Sequence, residues 1–139
     1  MERTLSIIKP DGMKRRLVGD IIKRLEKDDL KIIAMKVVHL TQEQAEKFYD
    51  VHAEKPFYNS LVKYMTSGPV IPLVLEGDDV INRLRKVMGA TDPAKADYNT
   101  IRRDFGISIE RNIIHGSDAP ETARSEVAFF FKEEDFVSY

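Results

Sequence analysis

Short apolar runs alternate with amphipathic stretches along the whole chain. Thr4 to Ile8 is apolar and stops at Lys9-Pro10-Asp11-Gly12, where proline and glycine favour a turn, so a strand feeding a loop is predicted. Leu17, Val18, Ile21, Ile22 and Leu25 recur at helical spacing, with Asp20, Lys23, Arg24 and Lys27 on the other side, and predict an amphipathic helix. Leu30 to Leu40 is nearly continuous in Ile, Val, Ala and Met and reads as a second strand covered on both faces. Thr41-Gln42-Glu43-Gln44 is a capping box. It opens a helix at about Gln42, on which Ala45, Phe48, Tyr49 and His52 share one face. Beyond Lys55-Pro56 a second helical pattern runs through Phe57, Leu61, Val62 and Met65 to Ser67-Gly68-Pro69. Val70 to Leu75 is a third strand, although Pro72 removes a ladder donor and argues for an edge or a bulge.

Asp78 is positioned to cap a helix carrying Val80, Ile81, Leu84, Val87 and Met88, with Gly89 as its stop. Residues 90 to 112 read mostly as loop. A stretch that long inside a compact domain is usually functional, and it holds Thr91, Thr100, Arg102, Arg103 and Asn112. Asp118 with Pro120 opens a last short helix, and Val127 to Phe131 reads as a fourth strand before an acidic tail. The order predicts an α+β sandwich in a split β-α-β arrangement, with helices over a four-stranded sheet.

Composition narrows the class. A chain of 139 residues can bury a real core and is too short for two ordinary domains, so one domain over 1–139 is expected. Twenty-two Lys and Arg against 23 Asp and Glu leave a net charge of −1, so any phosphate site must be a local cluster rather than a general basic field. That balance, with no basic aromatic strand motif, speaks against an RNA-binding module. The absence of cysteine excludes disulfides and thiolate metal sites. No apolar run approaches the roughly 20 residues that span a bilayer, and the expectation is a soluble, unprocessed cytoplasmic protein.

Among three histidines, His115 stands apart because two isoleucines precede it and Gly-Ser-Asp follows. That setting reads either as a hydrogen-bonded turn histidine or as an imidazole held at the rim of a packed element, where Gly116 lets a ligand approach the backbone. A neutral imidazole is an effective nucleophile near pH 7, provided an acceptor holds its other nitrogen and fixes the tautomer. Glu126, at the start of the predicted last strand, is the candidate acceptor. Lys9, Arg85 and Arg102 adjoin loops and suit phosphate oxygens, though each also reads as a solvated surface charge. Thr91 and Asn112 can hydrogen-bond phosphate and ribose or simply serve turns. Phe57 can stack on a base or fill a core, and Tyr49 is equally open. No Walker loop or protein-kinase signature is present, so a nucleotide would be held by scattered side chains.

Asn112-Ile113-Ile114-His115-Gly116-Ser117-Asp118, with Ile7-Ile8-Lys9-Pro10-Asp11-Gly12 and Thr100-Ile101-Arg102-Arg103-Asp104-Phe105, closely resembles the nucleoside diphosphate kinase family. His52 to Phe57, Ser67-Gly68-Pro69 and Met88-Gly89-Ala90-Thr91-Asp92-Pro93 extend the match over essentially the whole chain. The resemblance implies a ferredoxin-like βαββαβ sandwich with a four-stranded antiparallel sheet, and exchange of terminal phosphate between nucleoside triphosphates and diphosphates. It implies His115 as nucleophile through Nδ1, Glu126 orienting the ring and Ser117 nearby. Lys9, Tyr49, Arg85, Thr91 and Arg102 would surround the phosphates, and Lys9 and Asn112 would reach the ribose. Phe57 and Ile109 would sandwich the base with Leu61 close by. Mg²⁺ would arrive on the nucleotide, with no dedicated protein ligands.

Two positions depart from the family pattern. Tyr98-Asn99 stands where many members carry Pro-Gly, and Pro72 lies in what the family places as an internal strand. Members are tetramers or hexamers built from dimers, and the apolar second strand would be hazardous as a bare edge, so a homo-oligomer pairing that strand is expected. The chain lacks the longer C-terminal tail of many eukaryotic members, which implies a bacterial or archaeal source.

Overall fold

The computed structural model describes residues 1–139. Four strands, β1 (Glu2–Ile8), β2 (Lys31–Met35), β3 (Ile71–Gly77) and β4 (Ile114–Gly116), form one antiparallel sheet in the order β2-β3-β1-β4. Helices α1 (Pro10–Lys14) and α2 (Val18–Lys27) lie between β1 and β2; α3 (Gln42–Phe48) and α4 (Tyr58–Met65) lie between β2 and β3. Helices α5 (Val80–Met88) and α6 (Ile101–Phe105) precede β4, and α7 (Pro120–Phe130) follows it. This is the ferredoxin-like arrangement expected from the resemblance.

Strand alternation sorts the core into two layers. Leu5, Ile7 and Val74 pack with Phe48, Met65, Val127 and Phe130 from α3, α4 and α7. Ile71, Leu73, Leu75 and Ile114 pack on the other face with Ile21, Leu25, Leu84 and Met88 from α2 and α5. His115 stands opposite Ile7 in the ladder, so it projects into the first layer, towards α3 and α7.

Several expectations need correction. The segment 127–131 is helical, not a strand. Five consecutive apolar residues satisfy a buried strand and a buried helix equally, and here Ala123, Val127 and Phe130 give α7 its buried face. The fourth strand is instead Ile114–Gly116, three residues long and too short to carry a periodic signal. Pro10 occupies the first turn of α1, so the predicted loop after β1 is a helix start, where the missing N–H costs nothing. The second strand is shorter than Leu30 to Leu40 and is an edge, with Met35 49% and Val37 62% exposed. Asp78 does not cap α5; Asp79 precedes that helix with φ 52°, and Glu2 on β1 accepts the Ile81 N–H at 3.0 Å.

Pro72 lies in an interior strand rather than at an edge. Its carbonyl accepts from the Lys36 N–H at 3.2 Å, and amide and carbonyl of one residue face the same neighbour in a ladder. The missing donor therefore points at the place where β2 has already ended, and the nearby bulge falls in β2 between Ile32 and Ala34. The stretch 90–112 holds more structure than predicted, a 3₁₀ turn at Pro93–Lys95 and α6 capped by Thr100. Asn99 has φ 68°, a left-handed conformation that Asn tolerates better than most side chains, and the Arg103 guanidinium lies 4.6 Å from the Tyr98 ring centroid. The Tyr98-Asn99 departure is thus accommodated locally.

Candidate active site

His115 occupies the middle of β4, where Ser6 on β1 donates its hydroxyl to the His115 carbonyl at 2.9 Å. Its Nε2 lies 2.8 Å from Glu126 Oε1, and Ser117 donates to the same oxygen at 2.7 Å. Glu126 reaches across from α7, whose buried face presses that helix against β1. The Phe48 ring meets the imidazole edge-on with centroids 5.6 Å apart. A carboxylate on Nε2 fixes the proton there and leaves the Nδ1 lone pair available. Gly116 turns away from this chemistry: a Cβ would stand 2.8 Å from Met88 Sδ, so the glycine serves close packing of β4 on α5 rather than ligand approach.

Two buried cations flank the segment. The Lys9 ammonium donates to Asn112 Oδ1 at 2.8 Å, and Asn112 Nδ2 donates to the Thr91 carbonyl at 3.0 Å. Burial pushes Lys9 down to about 8, assisted by Arg102 and opposed by Asp11 and Glu110. Arg102 donates through Nη1 to the Gly89 carbonyl at 3.1 Å and through Nη2 to the Ile114 carbonyl at 2.7 Å, while its Nε has no partner. Burial and then Arg85 bring it down to about 10. Two desolvated positive charges held against residues 112–114 are costly unless an anion joins them. Gly89 ends α5 at φ 87°, and a Cβ there would meet Thr100 Oγ1 at 2.4 Å, so no other residue fits where Arg102 is anchored.

Tyr49 is buried with its hydroxyl unpartnered, and burial with the nearby Glu126 charge pushes its ionisation up. Exposed Arg85 and Thr91 line a cleft of about 280 Å³ with Gly89, Thr100 and Arg102. Larger concavities of 630 and 760 Å³ lie between Glu2 and α7 and behind Asp11, so chemistry rather than size locates this site. Phe57 is 46% and Ile109 61% exposed, and Leu61 is half-buried against the core. A 2.8 Å hydrogen bond from Ser60 to Glu110 ties the Ile109 segment to α4, which Phe57 precedes and which carries Leu61.

Three contributors to the site carry little signal in the sequence. Ser6 alternates with Leu5 and Ile7 in the buried part of β1, and a polar side chain there is its only signal. Phe48 looked like any core aromatic. Asp11 accepts the Ile113 N–H at 3.1 Å, where Ile113 has φ 77°. A β-branched residue held there costs about 1–3 kcal/mol, and such strain gathers at functional sites.

The family model for nucleoside diphosphate kinase matches residues 2–136. The chain belongs to the nucleoside diphosphate kinase family. It is 60% identical over 131 residues to the nucleoside diphosphate kinase of Desulfosudis oleivorans, covering 94% of each chain. It is 56% identical over 137 residues to that of Desulforapulum autotrophicum, covering 99% of each. Among solved structures it resembles the Aquifex aeolicus nucleoside diphosphate kinase with a TM-score of 0.95 and 44% identity, over 98% of this chain and 99% of that one. A halophilic nucleoside diphosphate kinase from Halobacterium salinarum, solved with CDP, matches at TM-score 0.95 and 42% identity over 99% and 92%. Family membership at this level rests on the whole chain, since the site residues are spread from Lys9 to Glu126.

Lys9 also makes the apo protein's stability depend on pH in a way that can be checked. Its folded pKa of about 8 lies below the ordinary lysine value of 10.5, so between those values the unfolded chain binds a proton that the folded chain does not. Stability therefore rises with pH from 8 towards 10, by on the order of 2 kcal/mol. Above about 10 Arg102, itself brought down, keeps the rising sign, but two phenols outweigh it with the opposite sign. Tyr49 and Tyr64 have raised values, so the unfolded chain loses phenolic protons first and stability falls. Denaturant unfolding across pH 7 to 11 is expected to trace this dome, and Lys9→Met is expected to lose its rising limb.

Proposed function

We propose that this chain, as one domain over 1–139, transfers the γ-phosphate of a nucleoside triphosphate to a nucleoside diphosphate through a phosphohistidine at His115. The observation that carries the reading is the His115–Glu126 pair at 2.8 Å, directly after a segment whose Asn112 and Ile114 are held by the buried Lys9 and Arg102. In the first half-reaction the Nδ1 lone pair attacks the γ-phosphorus in line, the bond to the β–γ bridging oxygen breaks, and the nucleoside diphosphate leaves with that electron pair. Glu126 stabilises the charge that the imidazole acquires, while Ser117 steadies the carboxylate. Lys9, Arg85, Arg102, Tyr49 and Thr91 offset charge on the phosphate oxygens. In the second half-reaction a β-phosphate oxygen of another diphosphate attacks the same phosphorus and the N–P bond breaks.

Lys9 and Asn112 reach the ribose, and Phe57, Leu61 and Ile109 hold the base between apolar surfaces. Stacking of that kind discriminates poorly among bases, so broad specificity follows. Mg²⁺ fits this site as a passenger on the nucleotide. No group of three or more His, Asp or Glu side chains is gathered to hold a metal, and the local charges are cationic. Carried in on the nucleotide, the ion would withdraw charge from the phosphate oxygens beside Lys9 and Arg102. Initial-rate lines at several fixed diphosphate concentrations are expected to run parallel; intersecting lines would rule out a covalent intermediate on the path.

The same reading gives a cytoplasmic homo-oligomer, tetramer or hexamer, with no membrane or obligate nucleic-acid partner. No helix is long and apolar enough to cross a membrane. Exposed Met35 and Val37 beside the open edge of β2 support pairing with a second copy, although the tail already reaches that strand through the Val137 N–H to the Ile33 carbonyl at 3.1 Å. A monomer by light scattering at micromolar concentration would overturn the assembly.

A further inference from the structure

The segment leading to His115 contains a turn that cannot hold itself. The Ile114 N–H donates to the Asn112 carbonyl at 2.9 Å, closing a three-residue γ-turn whose central residue is Ile113 at φ 77°. Ile113 is wholly buried, so both its backbone polar groups need partners inside the protein. Both come from the segment after β1. The Lys9 N–H donates to the Ile113 carbonyl at 2.8 Å, and Asp11 Oδ2 accepts the Ile113 N–H at 3.1 Å.

Asp11 is itself fixed. It lies in the first turn of α1 behind Pro10, is 9% exposed, and its N–H donates to the Tyr64 hydroxyl at 3.0 Å. We propose that Asp11 is a positioning residue for phosphoryl transfer, whose carboxylate holds the left-handed turn at Ile113 and thereby sets Asn112 between Lys9 and Thr91. The inference rests on the transfer reading above and adds a residue to it. With the acceptor withdrawn, the Ile113 N–H is buried without a partner and the strained turn loses its restraint. Relaxation of Ile113 towards negative φ swings the Asn112 peptide and draws its amide away from the Lys9 ammonium. His115 moves less, because the β1 ladder and the Ser6 hydroxyl also hold it. The loss is therefore felt at the ribose end of the nucleotide before the phosphorus.

Kinetics with paired acceptors separates this from a role in folding alone. The quantity is kcat/KM for a nucleoside diphosphate divided by that for its 2′,3′-dideoxy counterpart, measured alongside Tm and the label taken up by His115. Asp11→Asn keeps an oxygen near Oδ2 and removes the charge, and it is expected to hold the wild-type ratio within about twofold. Asp11→Glu keeps the charge at the start of α1 but shifts the oxygens by a methylene, and it is expected to lower the ratio about tenfold or more while His115 still labels. Asp11→Ala is expected to behave as Asp11→Glu does and stands in for it should the longer side chain fail to fold. A displaced-acceptor variant with the wild-type ratio would overturn the proposal. So would an Asp11→Asn protein that loses discrimination as fully as Asp11→Glu, and so would a wild type that ignores the ribose hydroxyls. A wild type that takes no label on His115 would instead overturn the transfer reading on which the proposal rests.

Discussion

Replacing His115 by alanine is expected to abolish turnover, by at least about 10⁴-fold in kcat, because no other group in the site can carry the phosphoryl group. Lys9 and Arg102 are cations committed to hydrogen bonds, Ser117 donates to Glu126, and the Tyr49 hydroxyl is kept protonated by burial. The fold should survive the substitution, since the imidazole is partly exposed and Ser117 still satisfies Glu126. Glu126→Ala is expected to fall between wild type and His115→Ala, with a loss on the order of 10²-fold, because the nucleophile remains but its tautomer and ring orientation do not. A coupled assay with matched thermal melts measures both. Activity of His115→Ala within tenfold of wild type would contradict the role given to that residue.

Arg102→Ala is expected to separate activity from stability. Truncation removes the guanidinium proposed to meet the phosphates, and loss of one such preorganised donor costs about 10²–10³-fold in rate. It also strips donors from the Gly89 and Ile114 carbonyls, at about 1–3 kcal/mol each. Against that, removing a buried cation relieves the burial that pushes Arg102 down to about 10. The opposing contributions are similar in size, so Tm should shift little while kcat/KM collapses. Arg102→Lys is expected to fail as well, since one ammonium cannot span two carbonyls and still meet a phosphate. A substantial rescue by lysine would show that charge alone matters there.

The legible parts of the fold were those with a local cause. The Thr41 capping box is present with both reciprocal hydrogen bonds, and the apolar spacing from Leu17 to Leu25 places α2. Elements decided by tertiary context were not legible. Val127 to Phe131 carries no period that separates strand from helix, and β4 is too short to show one. Glu126 was paired with His115 from the resemblance and from the need for an acceptor, yet its place on a helix became clear only when α7 closed over β1. Burial of charge was hidden for the same reason. Lys9 and Arg102 look like surface residues in the sequence because each adjoins a turn, and only the closure of β4 against β1 and α5 against α6 removes them from water. Asp11 carried no signal of its own, since its partner is a backbone amide 102 residues away.

In the transfer proposed above, the phosphate passes through a covalent bond to His115. Incubation with Mg²⁺ and γ-labelled ATP, followed by quenching and peptide mapping, tests it most directly. The expected result is a stoichiometric label on the peptide containing His115 that is stable to alkali and labile to acid. Adding GDP should discharge it completely as labelled GTP. Wild type that takes up no label, or His115→Ala that labels fully, would contradict the account.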